Sequence, residues 1–136
     1  MFWDYIKEEA PKRVRYQQII DDMEGVVGYF DGAAQWGHCG CGFVLLFQEN
    51  WYTHGWMSAG LGTNSKVELV ALWMLLGFVA TKGVKSLLVR GESKFIIDWA
   101  CRKMTMQSKL LNQWGCRVRE ISIMFENISY QHIYKN

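Results

Sequence analysis

The sequence predicts an α/β domain in which helices pack on a mixed, five-stranded β-sheet. Three apolar segments separated by turn-forming residues lie within residues 26–57, as in an antiparallel meander. The segment Val67–Ala80 is apolar or glycine throughout except for Glu68, which indicates a helix buried against other layers. After Gly83 short strand-like and helix-like segments alternate, and this order is typical of parallel strands with helices on the sheet.

Turn residues divide the chain into eight elements in the order βββαβααβ. The first strand ends on Asp31-Gly32, and Gln48-Glu49-Asn50 separates the second strand from the third. Gly83 fits the C′ position of the first helix. The last helix carries one apolar stripe, and the final strand alternates apolar and polar residues. The predicted ranges are 26–30, 43–47 and 51–57 for the first three strands, 64–82 for the first helix, 84–89 for the fourth strand, 93–102 and 109–125 for the other helices, and 128–133 for the last strand.

The chain of 136 residues is long enough for one domain with a sizeable core. Residues 1–24 mix charges with scattered aromatics, so we expect a lead-in or linker there, with a short helix around Arg15–Asp22, and the domain itself at residues 25–136. The N-terminus lacks the apolar core of a signal peptide, and Val67–Ala80 is too short to cross a bilayer. We therefore expect a soluble, intracellular protein, cytoplasmic or nuclear, without a membrane partner.

The net charge of +2 conceals a basic second half. Residues 82–136 contain ten Lys or Arg and four Asp or Glu, a local balance of +6. Such a surface suits a polyanion such as nucleic acid, although a basic face also serves simply to solvate helices. The candidate nucleic-acid contacts in this half are Lys94, Arg102, Lys103, Lys109 and Arg117.

The four cysteines do not form a zinc motif. Cys39 and Cys41 are separated by a single residue, and no second Cys/His cluster follows to complete a tetrahedral site. Nothing in the sequence indicates a secretory context that would oxidise the thiols. We expect reduced cysteines and no structural zinc.

Three acidic residues adjoin apolar elements and are expected to converge. Asp31 ends the first strand, Glu68 lies near the start of the first helix, and Glu92 follows the fourth strand. In open sheets with parallel strands, sites form beyond the carboxyl ends of the strands. Close carboxylates need protons or cations, and oxygen ligands alone favour Mg²⁺ or Mn²⁺. Two such ions could activate a water and stabilise the leaving oxygen of a phosphodiester.

Glu68 also has a purely structural interpretation. Ser65 and Glu68 have the spacing of a capping box, and a carboxylate near a helix N-terminus is favoured by the helix dipole. The residues themselves leave both interpretations open.

Five short motifs occur in a characteristic order and spacing: Tyr29–Ala33, Gly40–Gly42, Gly62–Leu72, Val89–Ser93 and Gln131–Ile133. On these motifs the chain resembles type 1 ribonuclease H domains of the ribonuclease H-like superfamily, in the plant and retrotransposon branch found beside reverse transcriptases. The resemblance implies a five-stranded mixed sheet. It also implies an endonuclease that hydrolyses the RNA strand of RNA–DNA hybrids with two Mg²⁺ or Mn²⁺ ions.

The resemblance also implies roles for individual residues. Asp31 and Glu68 match the first two metal-binding acids, and Glu92 occupies the position of the third. Asn64 and Ser65 would contact the hybrid in the minor groove, where 2′-hydroxyls distinguish RNA from DNA. His132 matches a catalytic histidine near the active-site loop that helps the product to leave, although a histidine that ends a strand is also a common surface residue.

Two departures from the family pattern predict reduced activity. Glu92 stands where the family has aspartate, and the added methylene moves the carboxylate by ~1.5 Å, against a tolerance of about 0.5 Å. The family's fourth acid and last helix would lie beyond Asn136, so we expect a C-terminally truncated domain, weakly active or inactive as given. The alternatives are a non-catalytic nucleic-acid-binding module and an inactive structural fragment of a retroelement protein. Substrate preference, host polypeptide and oligomeric state do not follow from the sequence.

Overall fold

A computed structural model of the chain describes residues 7–9, 26–33, 40–48, 51–58 and 64–134, with side chains at 26–32, 41–46 and 65–134. Within these ranges it contains a six-stranded sheet and three helices. In chain order the elements are β1 (Lys7–Glu9), β2 (Val26–Ala33), β3 (Gly40–Gln48), β4 (Trp51–Ser58), α1 (Asn64–Thr81), β5 (Ser86–Gly91), α2 (Lys94–Ala100), α3 (Lys109–Ser122) and β6 (Asn127–His132).

The sheet is mixed, and its strand order is β1-β4-β3-β2-β5-β6. Strands β2, β3 and β4 form the antiparallel meander that the sequence predicts. Strand β5 runs parallel to β2, and β6 runs parallel to β5. The predicted mixed α/β fold, with three antiparallel strands followed by parallel ones, is therefore confirmed.

The sheet contains one strand more than the sequence predicts. Strand β1 lies within the segment interpreted as a lead-in or linker, and it pairs antiparallel with β4, with Lys7 opposite Trp56 and Glu9 opposite His54. Three residues are too few to show an alternating pattern, so the sequence does not reveal this edge pairing. The helix expected around Arg15–Asp22 lies outside the described residues.

Each helix boundary has a local cause. Gly83 adopts a φ of 78° just after α1, a conformation that glycine tolerates best. Ser93 and Ser108 cap α2 and α3, and their side-chain oxygens each accept a bond of 3.4 Å, from the backbone N–H of Ile96 and Leu111 respectively. Among the described helices none is long and apolar enough to span a membrane.

Helix α1 is central to the core, because it packs on β2 and β3 with one side and on α3 with another. Its residues Leu69, Leu72 and Leu75 are fully buried. Edge contact between the rings of Trp73 and Trp114, with centroids 5.2 Å apart, joins α1 to α3. The helix that is apolar nearly all round is thus buried between two layers, as its composition predicts.

Strand β2 and the beginning of α1 approach each other closely at Gly32. A methyl group on Gly32 would lie 2.5 Å from the backbone nitrogen of Glu68 and 2.5 Å from the backbone carbonyl carbon of Val67. No side chain fits there unless the strand or the helix moves. This contact therefore sets the distance between the strand that carries Asp31 and the helix that carries Glu68.

Gly32→Ala should lower the free energy of unfolding by about 1–3 kcal/mol, the usual cost of overpacking, because the added methyl group meets backbone atoms. Gly28→Ala in the same strand is the matched control, since its methyl group would meet side-chain ends and no backbone, with Leu75 nearest at 2.9 Å and Leu45 at 3.4 Å. Those side chains can rotate, so the loss should be smaller. Urea unfolding measures both variants, and equal losses would contradict a uniquely tight approach at Gly32.

Candidate active site

The register of the parallel strands aligns Phe30, near the end of β2, with the last residues of β5 and β6. Phe30 pairs with Gly91, and Gly91 pairs with His132. Neighbouring strands lie about 4.8 Å apart, so the next residues along the chain, Asp31 and Glu92, have neighbouring backbones. Both residues are exposed. The strand register thus puts two of the three predicted acids side by side.

Glu68 reaches the same place from helix α1. Its carboxylate accepts a hydrogen bond from the backbone N–H of Gly32 and is close enough to Asp31 and Glu92 to interact with both charges. Its Oε2 atom is the one buried side-chain polar atom without a hydrogen-bond partner in the described part of the chain. Burial raises the pKa of Glu68 from 4.5 to about 7, the Gly32 bond opposes this shift, and the charges of Asp31 and Glu92 add to it.

The capping-box interpretation of Glu68 is wrong. Helix α1 begins at Asn64, so Ser65 lies inside the helix and Glu68 is in its second turn, not its first. The bond that Glu68 accepts comes from Gly32 in another element. Ser65 is partly exposed at the beginning of α1, and Asn64 is the first residue of that helix, with its side chain outside what the structure describes.

Cys41 is a neighbour of Glu68 that sequence reasoning did not associate with the site. It pairs with Gly32 across β2 and β3 and is only 1 % exposed. Burial, together with the nearby Glu68 charge, raises the pKa of the Cys41 thiol to about 12. The thiol is therefore neutral at physiological pH, and the charged groups of the site are its carboxylates.

Arg90 links the three parallel strands beside the site, a role that the sequence analysis also missed. Its Nε donates to Oε1 of Gln131 at 2.7 Å, and its Nη1 donates to the hydroxyl of Tyr29 at 2.8 Å. Gln131 directly precedes His132, Arg90 precedes the Gly91-Glu92 pair, and Tyr29 lies two residues before Asp31. Their polarity within otherwise apolar strands was the available signal.

His132 contacts the backbone that carries Glu92. Its Nε2 lies 3.0 Å from the carbonyl oxygen of Glu92, and its ring makes an edge contact with Tyr134, with centroids 4.6 Å apart. The strand-ending histidine is thus part of the same corner of the fold as the acids.

The three acids share one electrostatic environment but do not form a compact cage. Among the described residues, no group of three His, Cys, Asp or Glu side chains is arranged as a ready metal-binding cluster. The donors nevertheless suit a hard divalent ion, because they are carboxylate oxygens and one of them is buried without a partner.

The basic residues singled out from the sequence lie on and between α2 and α3, in two situations. Lys94 forms an ion pair with Asp98 at 2.8 Å, and the Arg117 guanidinium lies 4.5 Å from the centre of the Trp114 ring. Both side chains are thus already engaged within the domain. The other three basic residues are exposed: Arg102 and Lys103 follow α2, and Lys109 is the first residue of α3.

Comparisons with known proteins agree with this fold. The family model described as reverse transcriptase-like matches residues 29–136. RNase H1 from the halophilic archaeon Halobacterium salinarum superposes with a TM-score of 0.75 at 25% identity, over 82% of this chain and 87% of that chain. An N-terminal RNase H domain from Mycobacterium tuberculosis superposes with a TM-score of 0.75 at 18% identity, over 82% of this chain and 88% of that chain. LC11-RNase H1, solved in complex with an RNA/DNA hybrid, superposes with a TM-score of 0.73 at 23% identity, over 81% of this chain and 86% of that chain.

No curated protein sequence gives a significant match. The structural similarity nevertheless extends over most of each chain, so it concerns the whole domain and not one motif. The family model likewise begins in β2 and extends to Asn136, which includes all three acids and His132. The chain therefore belongs to the reverse transcriptase-like family and has a ribonuclease H-like domain.

Proposed function

We propose that this domain binds RNA–DNA hybrids and hydrolyses their RNA strand with Mg²⁺ or Mn²⁺. The observation that carries the proposal is the buried, unpartnered Oε2 of Glu68 beside Asp31 and Glu92 in a ribonuclease H-like fold. Such an oxygen is costly unless a proton or a cation meets it. The hybrid bound in the LC11-RNase H1 structure supports the choice of substrate class.

Each acid has a distinct part in this proposal. Gly32 holds Glu68 through its backbone N–H, while Oε2 is left to face a ligand. Asp31 and Glu92 are exposed and can turn their carboxylates towards the same ligand. The three acids would hold two ions, which in such sites activate water and stabilise the leaving oxygen of a phosphodiester.

We further propose that cleavage is slow. Glu92 replaces the aspartate that the resemblance implies, and no ready three-residue cluster is present among the described residues. A misplaced electrostatic stabiliser typically costs ~10²–10³ in rate. Arg102, Lys103 and Lys109 would contact phosphates, and Asn64 and Ser65 would contact the minor groove.

A non-catalytic nucleic-acid-binding module is the second candidate. The same lack of a compact acid cluster favours it, because exposed basic residues bind phosphates without any metal. Cleavage separates the two candidates, whereas binding does not.

Glu68→Gln should stabilise the ion-free protein substantially more at pH 8 than at pH 5. In the folded wild type the pKa of Glu68 is raised from 4.5 to about 7. Because the unfolded state therefore ionises first, the folded state loses stability as the pH rises through this interval. We expect a gain of about 1–3 kcal/mol at pH 8, because a pKa unit corresponds to about 1.4 kcal/mol and partial exposure reduces the effect. Urea unfolding in EDTA measures it. The exposed Glu120→Gln is the control, and an equal gain at both pH values would contradict the prediction.

Mn²⁺ or Mg²⁺ should raise the Tm of the wild-type protein, because an ion that binds only the folded state stabilises it by mass action. At an ion concentration of 100 times Kd, the free energy of unfolding rises by about 2.7 kcal/mol. The triple variant Asp31→Asn/Glu68→Gln/Glu92→Gln should lose this shift. Glu120→Gln/Glu126→Gln, which removes two exposed acids elsewhere, should retain it. An unchanged shift in the triple variant would place the bound ion at other residues.

A labelled RNA–DNA hybrid tests the activity directly. Slow Mn²⁺-dependent cleavage is expected in the wild type, loss of cleavage in Glu68→Gln, and faster cleavage in Glu92→Asp, which shortens the side chain. Hybrid binding should survive Glu68→Gln, because phosphate contacts dominate affinity.

A binding measurement tests the basic surface that both candidates share. Lys103→Gln/Lys109→Gln should reduce the logarithmic salt slope by about 0.9 per lost phosphate contact. Salt-dependent binding without cleavage by either the wild type or Glu92→Asp would favour the non-catalytic module. Salt-independent binding would contradict both candidates.

A further inference from the structure

A hydrogen bond joins the His132 side chain to the backbone of Glu92, the third acid of the candidate site. The Nε2 atom of His132 lies 3.0 Å from the backbone carbonyl oxygen of Glu92. A carbonyl oxygen only accepts hydrogen bonds, so Nε2 carries the proton in this contact and donates it. In the neutral ring, Nδ1 is then the nitrogen without a proton.

The backbone on both sides of Glu92 is also anchored. The carbonyl of Gly91 accepts a bond of 2.9 Å from the N–H of Ile133, and Ser93 caps α2. Strand pairing ends at Gly91 and His132, so Glu92 is the first residue after β5. Its own carbonyl is held by His132, while its side chain is exposed.

We propose that His132 is a positioning residue, whose Nε2–H fixes the backbone of Glu92 so that the Glu92 carboxylate stays within reach of Asp31 and Glu68. The inference rests on the proposed function of these three acids and extends it. A glutamate has one more side-chain torsion than an aspartate, so a fixed backbone limits the positions that its carboxylate can sample. The edge contact with Tyr134 keeps the imidazole in a suitable orientation.

Two variants distinguish the role of the His132 hydrogen-bond donor from the role of its aromatic ring. His132→Gln places an amide Nε2–H near the position of the imidazole Nε2–H, whereas His132→Phe keeps an aromatic ring against Tyr134 but has no donor. Ser129→Ala, at an exposed position of β6, is the matched control. Mn²⁺ affinity is measured for each variant without nucleic acid, together with urea unfolding in EDTA. Hydrogen–deuterium exchange is measured at the amides of Ile96 and Ile97, which donate to Ser93 next to Glu92.

His132→Phe should bind Mn²⁺ about tenfold more weakly, the lower end of the effect of losing an outer partner of a metal ligand. Exchange at Ile96 and Ile97 should accelerate roughly five- to tenfold, as expected when one hydrogen bond that anchors the adjoining backbone is lost. His132→Gln and Ser129→Ala should stay within about twofold of the wild type. The unfolding midpoints should change far less than the Mn²⁺ affinity.

Wild-type Mn²⁺ affinity and unchanged exchange in His132→Phe would overturn the inference. Equal losses in His132→Gln and His132→Phe would also overturn it, because ring packing would then matter and not the donor. If the wild-type protein binds no Mn²⁺, the proposed ion site fails. The exchange comparison then decides by itself whether His132 anchors Glu92.

Discussion

The close approach of β2 to α1 at Gly32 is the constraint on which the site depends. Because this residue has no side chain, the strand backbone can lie against the backbone of Val67 and Glu68. The same residue then donates its N–H to the Glu68 carboxylate. One glycine therefore sets both the separation of two elements and the orientation of an acid. Asp31, its neighbour in sequence, is placed beside that acid as a consequence.

Ionised Glu68 is destabilising in this arrangement. A carboxylate placed at the strand ends by a buried helix loses water, and the charges of Asp31 and Glu92 discourage its ionisation further. The thiol of Cys41, which pairs with Gly32, stays neutral and adds no further negative charge. A cation between the acids would remove both penalties at once. The unpartnered oxygen is thus more consistent with a ligand position than with a structural cap.

Parallel register brings the other two acids together, and polar contacts reinforce it. Arg90 cross-links β2, β5 and β6 through Tyr29 and Gln131 just before the strand ends. His132 adds a contact to the carbonyl of Glu92 where the ladder stops. Backbone pairing and side-chain bonds thus act on adjacent positions. The third acid, which is one methylene longer than aspartate, is the residue that most needs such support.

The sequence by itself determined the order of elements, their type, and the helix from Asn64, because apolar periodicity and turn residues are local signals. It also identified the three acids as neighbours from their places at element ends. Only the tertiary structure decided that Gly32 holds Glu68 and that residues 7–9 join the sheet. These facts depend on contacts between residues remote in the chain, and packing, not local pattern, determines such contacts.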